Sequence, residues 1–248
     1  MQNNKALISV VVPTLNAGKW LPNCLESLAV QSYKNFEVKV VDGGSADNTM
    51  QVVEFFKATS DLQLQWHQED QLGLYPAMNW GYENAVGSWC YFLGADDVLH
   101  DSMVFEDIAL ELMKTSADMV YGDVLMKSRN ARYCGEVTLD TLLFHKNIGH
   151  QAIFYSKTLL ARMGGYNHRY PVWADWDLNI RCLKTPGVKH SWVNRVVAVF
   201  DDQNGLSVAG DSVLAKELPK FSKGHRPYIP AYAKNKFVQR LKKWLGGQ

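Results

Sequence analysis

Between residues 7 and 99, short apolar runs alternate with segments of helical spacing, and few architectures accept that alternation. Residues 7–12 read as a buried strand that Pro13 stops. Residues 18–31 follow with apolar positions at Trp20, Leu21, Cys24, Leu25 and Leu28, the spacing of one helical face. Strand 36–41 ends at Asp42-Gly43-Gly44, helix 47–58 follows, and then strand 62–66. Helix 75–86 closes at Gly87, an ordinary C-terminal stop. A fourth strand, from Trp89, runs directly into two adjacent carboxylates, Asp96 and Asp97. Strands and helices alternating at this pace predict an α/β protein with a mostly parallel central sheet and helices on both faces. Beyond residue 125 the pattern loosens, with strands predicted at 119–126 and 151–155, helices at 156–163 and 174–184, and a β-rich stretch over 188–200.

In open α/β sheets ligands sit at the carboxyl ends of the strands. Paired acids delivered there suit a hard divalent cation, which uses one or two carboxylates and leaves its other positions to water and phosphate oxygens. A polar turn after a strand explains the pair equally well on local grounds. No GxGxxG follows an early strand and no P-loop is present, which excludes the two common phosphate-cradle motifs. A sugar nucleotidyltransferase would need a Gly-rich loop bearing Lys or Arg after the first strand, and residues 13–16 provide none. Asp42, followed by two glycines, is placed either to accept a hydrogen bond from a ligand N–H or to organise its own turn.

Charge divides the chain. From Leu218 onward there are eight Lys or Arg and no acid, leaving 18 basic against 25 acidic residues before it. In residues 234–245, Phe237, Leu241, Trp244 and Leu245 share a helical face among basic residues, the pattern of an amphipathic helix lying on an anionic membrane. Docking on the protein's own core or on a dimer partner is the alternative. Basic residues confined to a tail argue against nucleic acid as partner. The four cysteines are scattered and suggest reduced thiols, residues 1–5 lack a signal-peptide pattern, and no apolar run approaches ~20 residues. These features predict a cytoplasmic protein, peripheral on the inner face of the membrane.

Three segments in order, ISVVVPTLN at 8–16, VDGGSADNT at 41–49 and FLGADD at 92–97, resemble glycosyltransferase family 2, nearest to the bacterial enzymes of O-antigen, capsule and exopolysaccharide synthesis. Residues 69–79, 149–154, 163–167 and 174–178 agree with that resemblance. It implies a GT-A fold, read here over 1–217 with a nucleotide-sugar half at 1–125 and an acceptor half at 126–217, and charge sets off the basic tail at 218–248. It implies an inverting transfer from a nucleotide-diphosphate sugar, with a UDP-sugar the expected donor, to a glycan or polyprenyl-diphosphate-linked acceptor. By the same resemblance Pro13, Thr14, Asn16, Asp42, Gly43, Asp96 and His150 belong to the donor site, and Asp97 would bind Mg²⁺ or Mn²⁺. Asp175 would be the general base, with Asp177 as its rival. Trp173 and Trp176 would meet the acceptor, although tryptophans at a helix start also serve as packing. His150 is open to a core reading in the same way. The chain departs from the family at Pro76 and Ala174, where acids are usual, and those departures keep open a non-catalytic glycan-binding reading.

Overall fold

The computed structural model describes residues 8–202 and 210–223. The expected tail helix lies outside the described residues.

The parallel half of the sheet is built first. Strand β1 (Ile8–Thr14), helix α1 (Leu21–Ala29), β2 (Phe36–Asp42), α2 (Thr49–Thr59), β3 (Leu64–Gln68), α3 (Leu74–Glu83) and β4 (Trp89–Phe92) follow in chain order. The second half holds β5 (Val98–Leu99), α4 (Val104–Lys114), β6 (Met119–Met126), β7 (Ala131–Tyr133), α5 (Leu139–Phe144), a 3-10 turn at His150–Ala152, β8 (Ile153–Ser156), α6 (Lys157–Met163), α7 (Ala174–Lys184), β9 (His190–Phe200) and α8 (Ser212–Phe221). The sheet order is β3-β2-β1-β4-β8-β6-β9-β5, with β7 paired to β6. The strands β3, β2, β1 and β4 are parallel. Strand β8 runs antiparallel to both β4 and β6, and β9 is parallel to β6. The sheet is therefore mixed, and its parallel character is concentrated in the first half.

The strand interiors explain why β1 is largely apolar, and why the Glu37 and Lys39 that alternate along β2 are buried and paired with each other at 3.2 Å. Val10, Val12, Val38 and Val40 face the layer that includes α1, α2 and α4. Val11 and Val41 face the layer that includes α3 and α5 to α8. A strand covered on both faces has no solvent side to mark with polar residues. Pro13 does not end β1, as the sequence reading expects. Pairing with β2 continues to Thr14↔Asp42, whereas pairing with β4 stops at Val11↔Phe92. Val11 turns its carbonyl toward β4, accepting from Leu93 N, so Pro13 turns the same way, just past the last β4 pair, where its missing N–H costs no ladder bond.

The order in which strands are added reverses around β1. After β3 the chain returns past β2 to place β4 on the other side of β1, creating a switch point between β1 and β4. The loops after Thr14, Asp42 and Phe92 open at this carboxyl edge. No helix among the described residues is long and apolar enough to cross a membrane.

Candidate active site

The loops after β1 and β2 are sewn together by hydrogen bonds. Thr14 Oγ1 donates to Asp42 Oδ1 at 2.9 Å, and Ser45 Oγ donates to the same oxygen at 2.5 Å. Gly44 N and Ser45 N donate to Asp42 Oδ2 at 3.1 and 2.8 Å. Asp42 is fully buried and its carboxylate is fully engaged in this turn. Asn16, at φ 50°, accepts from Ala46 N at 2.9 Å through its side chain and donates its own N–H to Ser45 Oγ at 2.7 Å. A Cβ on Gly43 would sit 2.6 Å from the Leu72 carbonyl oxygen, so only glycine lets the loop before α3 come this close.

Beside this stitched pair opens a cleft of about 910 Å³. Pro13 and Thr14 line it, as do Asp96, Asp97, His150, Trp173, Asp175 and Trp176. Asn16, Asp42, Gly43 and Asp177 lie outside that lining. The expected donor residues thus divide into a wall and the scaffold behind it.

The carboxylate pair follows β4. Asp97 is buried and Asp96 is exposed. A Cβ on Gly94 would lie 2.6 Å from Asp97 Oδ2 and 2.8 Å from Asp96 Oδ1, so both acids lean over the same bare Cα. Gln151 Nε2 donates to Asp97 Oδ2 at 2.8 Å, and Asp201 N donates to Oδ1 at 3.4 Å. Burial, then the neighbouring charge of Asp96, pushes the Asp97 carboxyl up to about 8. A cation between the two would relieve that repulsion. Among the described residues no group of three or more His, Cys, Asp or Glu could hold a metal. Two oxygen donors without a cage fit Mg²⁺ or Mn²⁺ arriving with phosphate oxygens and water, and do not fit an all-protein site. Burial lowers His150 to about 4, which leaves it neutral at pH 7.

Asp175 reaches the cleft from the first turn of α7 and is only 9% exposed. Asn147 Nδ2 donates to its Oδ2 at 2.7 Å, and Tyr75 OH approaches its Oδ1 at 3.2 Å. Burial raises its pKa to about 6, and the hydrogen bonds oppose that rise. Such a carboxylate is mostly ionised at pH 7 and still a competent proton acceptor. Asp177 has a different setting. It pairs with Arg181 at 2.8 Å, and the same guanidinium holds the Met163 and Gly165 carbonyls. Its fixed partner turns it to internal structure. Trp173 and Trp176 stand with ring centroids 5.4 Å apart, and Trp176 Nε1 donates to Leu142 O at 2.7 Å.

Sequence reasoning passed over several cleft residues. Trp20, read as part of a buried helical face, instead precedes α1, is 46% exposed and lines the cleft. Tyr75, Tyr133, Lys146 and Asn147 also line it. For Trp20 the local signal is Pro22, a first-turn residue that sets the helix start at Leu21 and leaves Trp20 ahead of it.

The family model described as "Glycosyl transferase family 2" matches residues 9–169. A switch-point sheet with an open cleft and a carboxylate pair at its edge suits that family's chemistry, and the chain is a glycosyltransferase. It belongs to glycosyl transferase family 2. A relative in Mycobacterium bovis (strain BCG / Pasteur 1173P2), "PGL/p-HBAD biosynthesis glycosyltransferase", is 42% identical over 215 residues, covering 86% of this chain and 84% of that protein. Among solved structures, S. aureus TarS 1-349 in complex with UDP-GlcNAc superposes with a TM-score of 0.66 at 19% identity, covering 96% of this chain and 71% of that one. The mannosyltransferase PcManGT from Pyrobaculum calidifontis, in complex with GDP-Man and Mn²⁺, gives 0.69 at 19% identity, covering 97% and 70%. These likenesses establish the fold as GT-A.

Proposed function

We propose that this enzyme is an inverting, metal-dependent glycosyltransferase that moves one sugar from a nucleotide-diphosphate donor, UDP-linked first among the candidates, to a hydroxyl of a glycan or lipid-linked acceptor. One observation carries the reading: Asp175, raised to about 6, opens into the same cleft as the Asp96/Asp97 pair. In this mechanism the Asp175 carboxylate takes the proton of the acceptor hydroxyl while the hydroxyl oxygen bonds to the sugar's anomeric carbon. The bond from that carbon to the nucleoside diphosphate breaks with its electron pair going to the departing phosphate, and configuration inverts. Asp97, with Asp96 beside it, would hold Mg²⁺ or Mn²⁺, which when bound neutralises charge on the leaving diphosphate. Trp173, Trp176 and Trp20 offer flat faces for the acceptor. The stitched Asn16, Asp42 and Gly43 turn would support the nucleotide end from behind Pro13 and Thr14.

Two acceptor classes deserve assay. Precursors of bacterial surface polysaccharide, such as O-antigen or capsule, follow from the family resemblance. The mycobacterial relative is named for PGL/p-HBAD biosynthesis, which adds acceptors of that kind. Sugar nucleotides of UDP, GDP and dTDP are to be tested with Mn²⁺ against both panels. Asp97→Asn should abolish the Mn²⁺-dependent part of nucleotide binding by calorimetry. Asp175→Asn should keep that binding and lose ~10²–10⁴-fold in turnover. Full turnover by Asp175→Asn would remove the proposed base.

A further inference from the structure

Behind Asp175 lies a chain of hydrogen bonds, buried at its far end, whose donors all point the same way. Tyr155 OH donates to Asn179 Oδ1 at 2.7 Å, Asn179 Nδ2 donates to Asn147 Oδ1 at 2.9 Å, and Asn147 Nδ2 donates to Asp175 Oδ2 at 2.7 Å. Tyr155 on β8 and Asn179 on α7 are fully buried, and neither lines the cleft. They cannot touch a substrate. Their effect on chemistry runs through Asn147, which does line the cleft.

The direction of the chain follows from its end. An ionised carboxylate only accepts. Turning the Asn147 amide over would set its carbonyl against Asp175 and its NH₂ against the NH₂ of Asn179. Turning both amides over repairs the second clash and leaves the first. One arrangement alone makes every contact, and it aims an N–H at the carboxylate.

We propose that Asn179 and Tyr155 are positioning residues, which lock the Asn147 amide in its donating orientation and so keep the Asp175 carboxylate ionised and aligned for the incoming hydroxyl. The inference rests on the reading of Asp175 as the base. A hydrogen bond to the charged form lowers a carboxyl pKa, here opposing the rise that burial imposes. The tyrosines around Asp175 stay neutral through its titration. Tyr75 from α3, Tyr133 from β7, Tyr155 from β8 and Tyr166 from the loop after α6 are all raised by burial and remain neutral. On α7 itself Asp177 is tied to Arg181.

The experiment is the pH dependence of kcat for Asn179→Leu and Tyr155→Phe, with Mn²⁺–UDP binding measured alongside to confirm a folded donor site. The acid limb should move upward by about one pH unit in Asn179→Leu and by less in Tyr155→Phe. The loss should be about fivefold at pH 6, approach about tenfold below pH 5, and shrink as pH rises. A residue that only supports packing would lower the active fraction equally at every pH and leave the limb in place. Tyr155→Phe removes a single oxygen, so it carries the test if Asn179→Leu does not fold. An unmoved limb in the folded variants overturns the positioning role. Asp175→Asn separates this from failure of the parent reading: retained turnover there discards the base itself, whereas lost turnover with an unmoved limb discards only the relay.

Discussion

Asp175 and Asp177 differ by two positions and divide by their partners. Asp177 has Arg181 four residues on, a spacing that puts both on one helical face, and the 2.8 Å ion pair follows. That signal stands in the sequence and by itself favours Asp175 as the free acid. The donors that tune Asp175 do not. Asn147 lies 28 residues away and Tyr75 lies 100 away, so no local pattern links them to it. The raised pKa has a consequence for stability whose sign can be worked out. Between about 4 and 6 the folded state binds more protons at Asp175 than the unfolded chain does, so burial of this acid costs stability as pH rises through that window and the cost is complete above it. Each pKa unit is worth about 1.4 kcal/mol, which bounds the effect at roughly 3 kcal/mol. Asp175→Asn should therefore be more stable than the parent at pH 8, with the gain fading below pH 4. Urea denaturation at the two pH values measures this, and a gain independent of pH would contradict it.

Elements with strong apolar character were legible, and those held by non-local contacts were not. The runs that became β1, β2 and β4 are buried on both faces, so their hydrophobicity marks them locally. Helix α4 passed unread although Val104, Phe105, Ile108 and Leu112 have helical spacing and are buried. Strand β5 has two residues and exists only because β9 pairs with it. Helix α8 contains Pro219, a residue that argues against a helix on local grounds. Tertiary contacts hold α8 in place. Asp211 caps it, accepting from Val213 N and Leu214 N at 3.0 Å, and its other oxygen accepts from Val172 N and Trp173 N at 3.1 Å. Glu217 accepts from Tyr170 OH and Arg169 Nη2, each at 2.6 Å. The helix thus clamps the loop that leads into Asp175. We propose that the catalytic unit extends through α8, past the boundary at 217 expected from charge. Asp211→Ala removes the cap and orphans two buried N–H groups, a loss of about 2–3 kcal/mol. Its thermal midpoint should fall and kcat should drop with it, while Mn²⁺–UDP affinity holds. Equal midpoints for variant and parent would show that the clamp carries no stability.

Across the whole chain the charge is uneven: eight basic residues and no acid from Leu218 onward, against an excess of seven acids before it. Within the catalytic cleft, by contrast, Asp96, Asp97, Asp175 and Asp201 outnumber the one lysine, Lys146. Lys146 already donates to the Cys134 carbonyl and sits over the Tyr133 ring. A polyanionic donor entering such a cleft needs a cation, and an acceptor carried on an anionic membrane needs attraction from elsewhere. We propose that the basic tail supplies that attraction. Basic residues near an anionic surface contribute ~1 kcal/mol each, and the interaction decays over a Debye length of about 10 Å at 0.1 M salt. The full chain should therefore sediment with phosphatidylglycerol vesicles at low salt and release as salt approaches ~1 M, where that length is about 3 Å. A chain ending at Lys223 keeps α8 and loses six of the eight basic residues. It should stay in the supernatant while turning over a water-soluble acceptor at the parent rate. Co-sedimentation of the shortened chain would move the membrane contact onto the catalytic body. Loss of both binding and turnover would instead assign the tail to the fold.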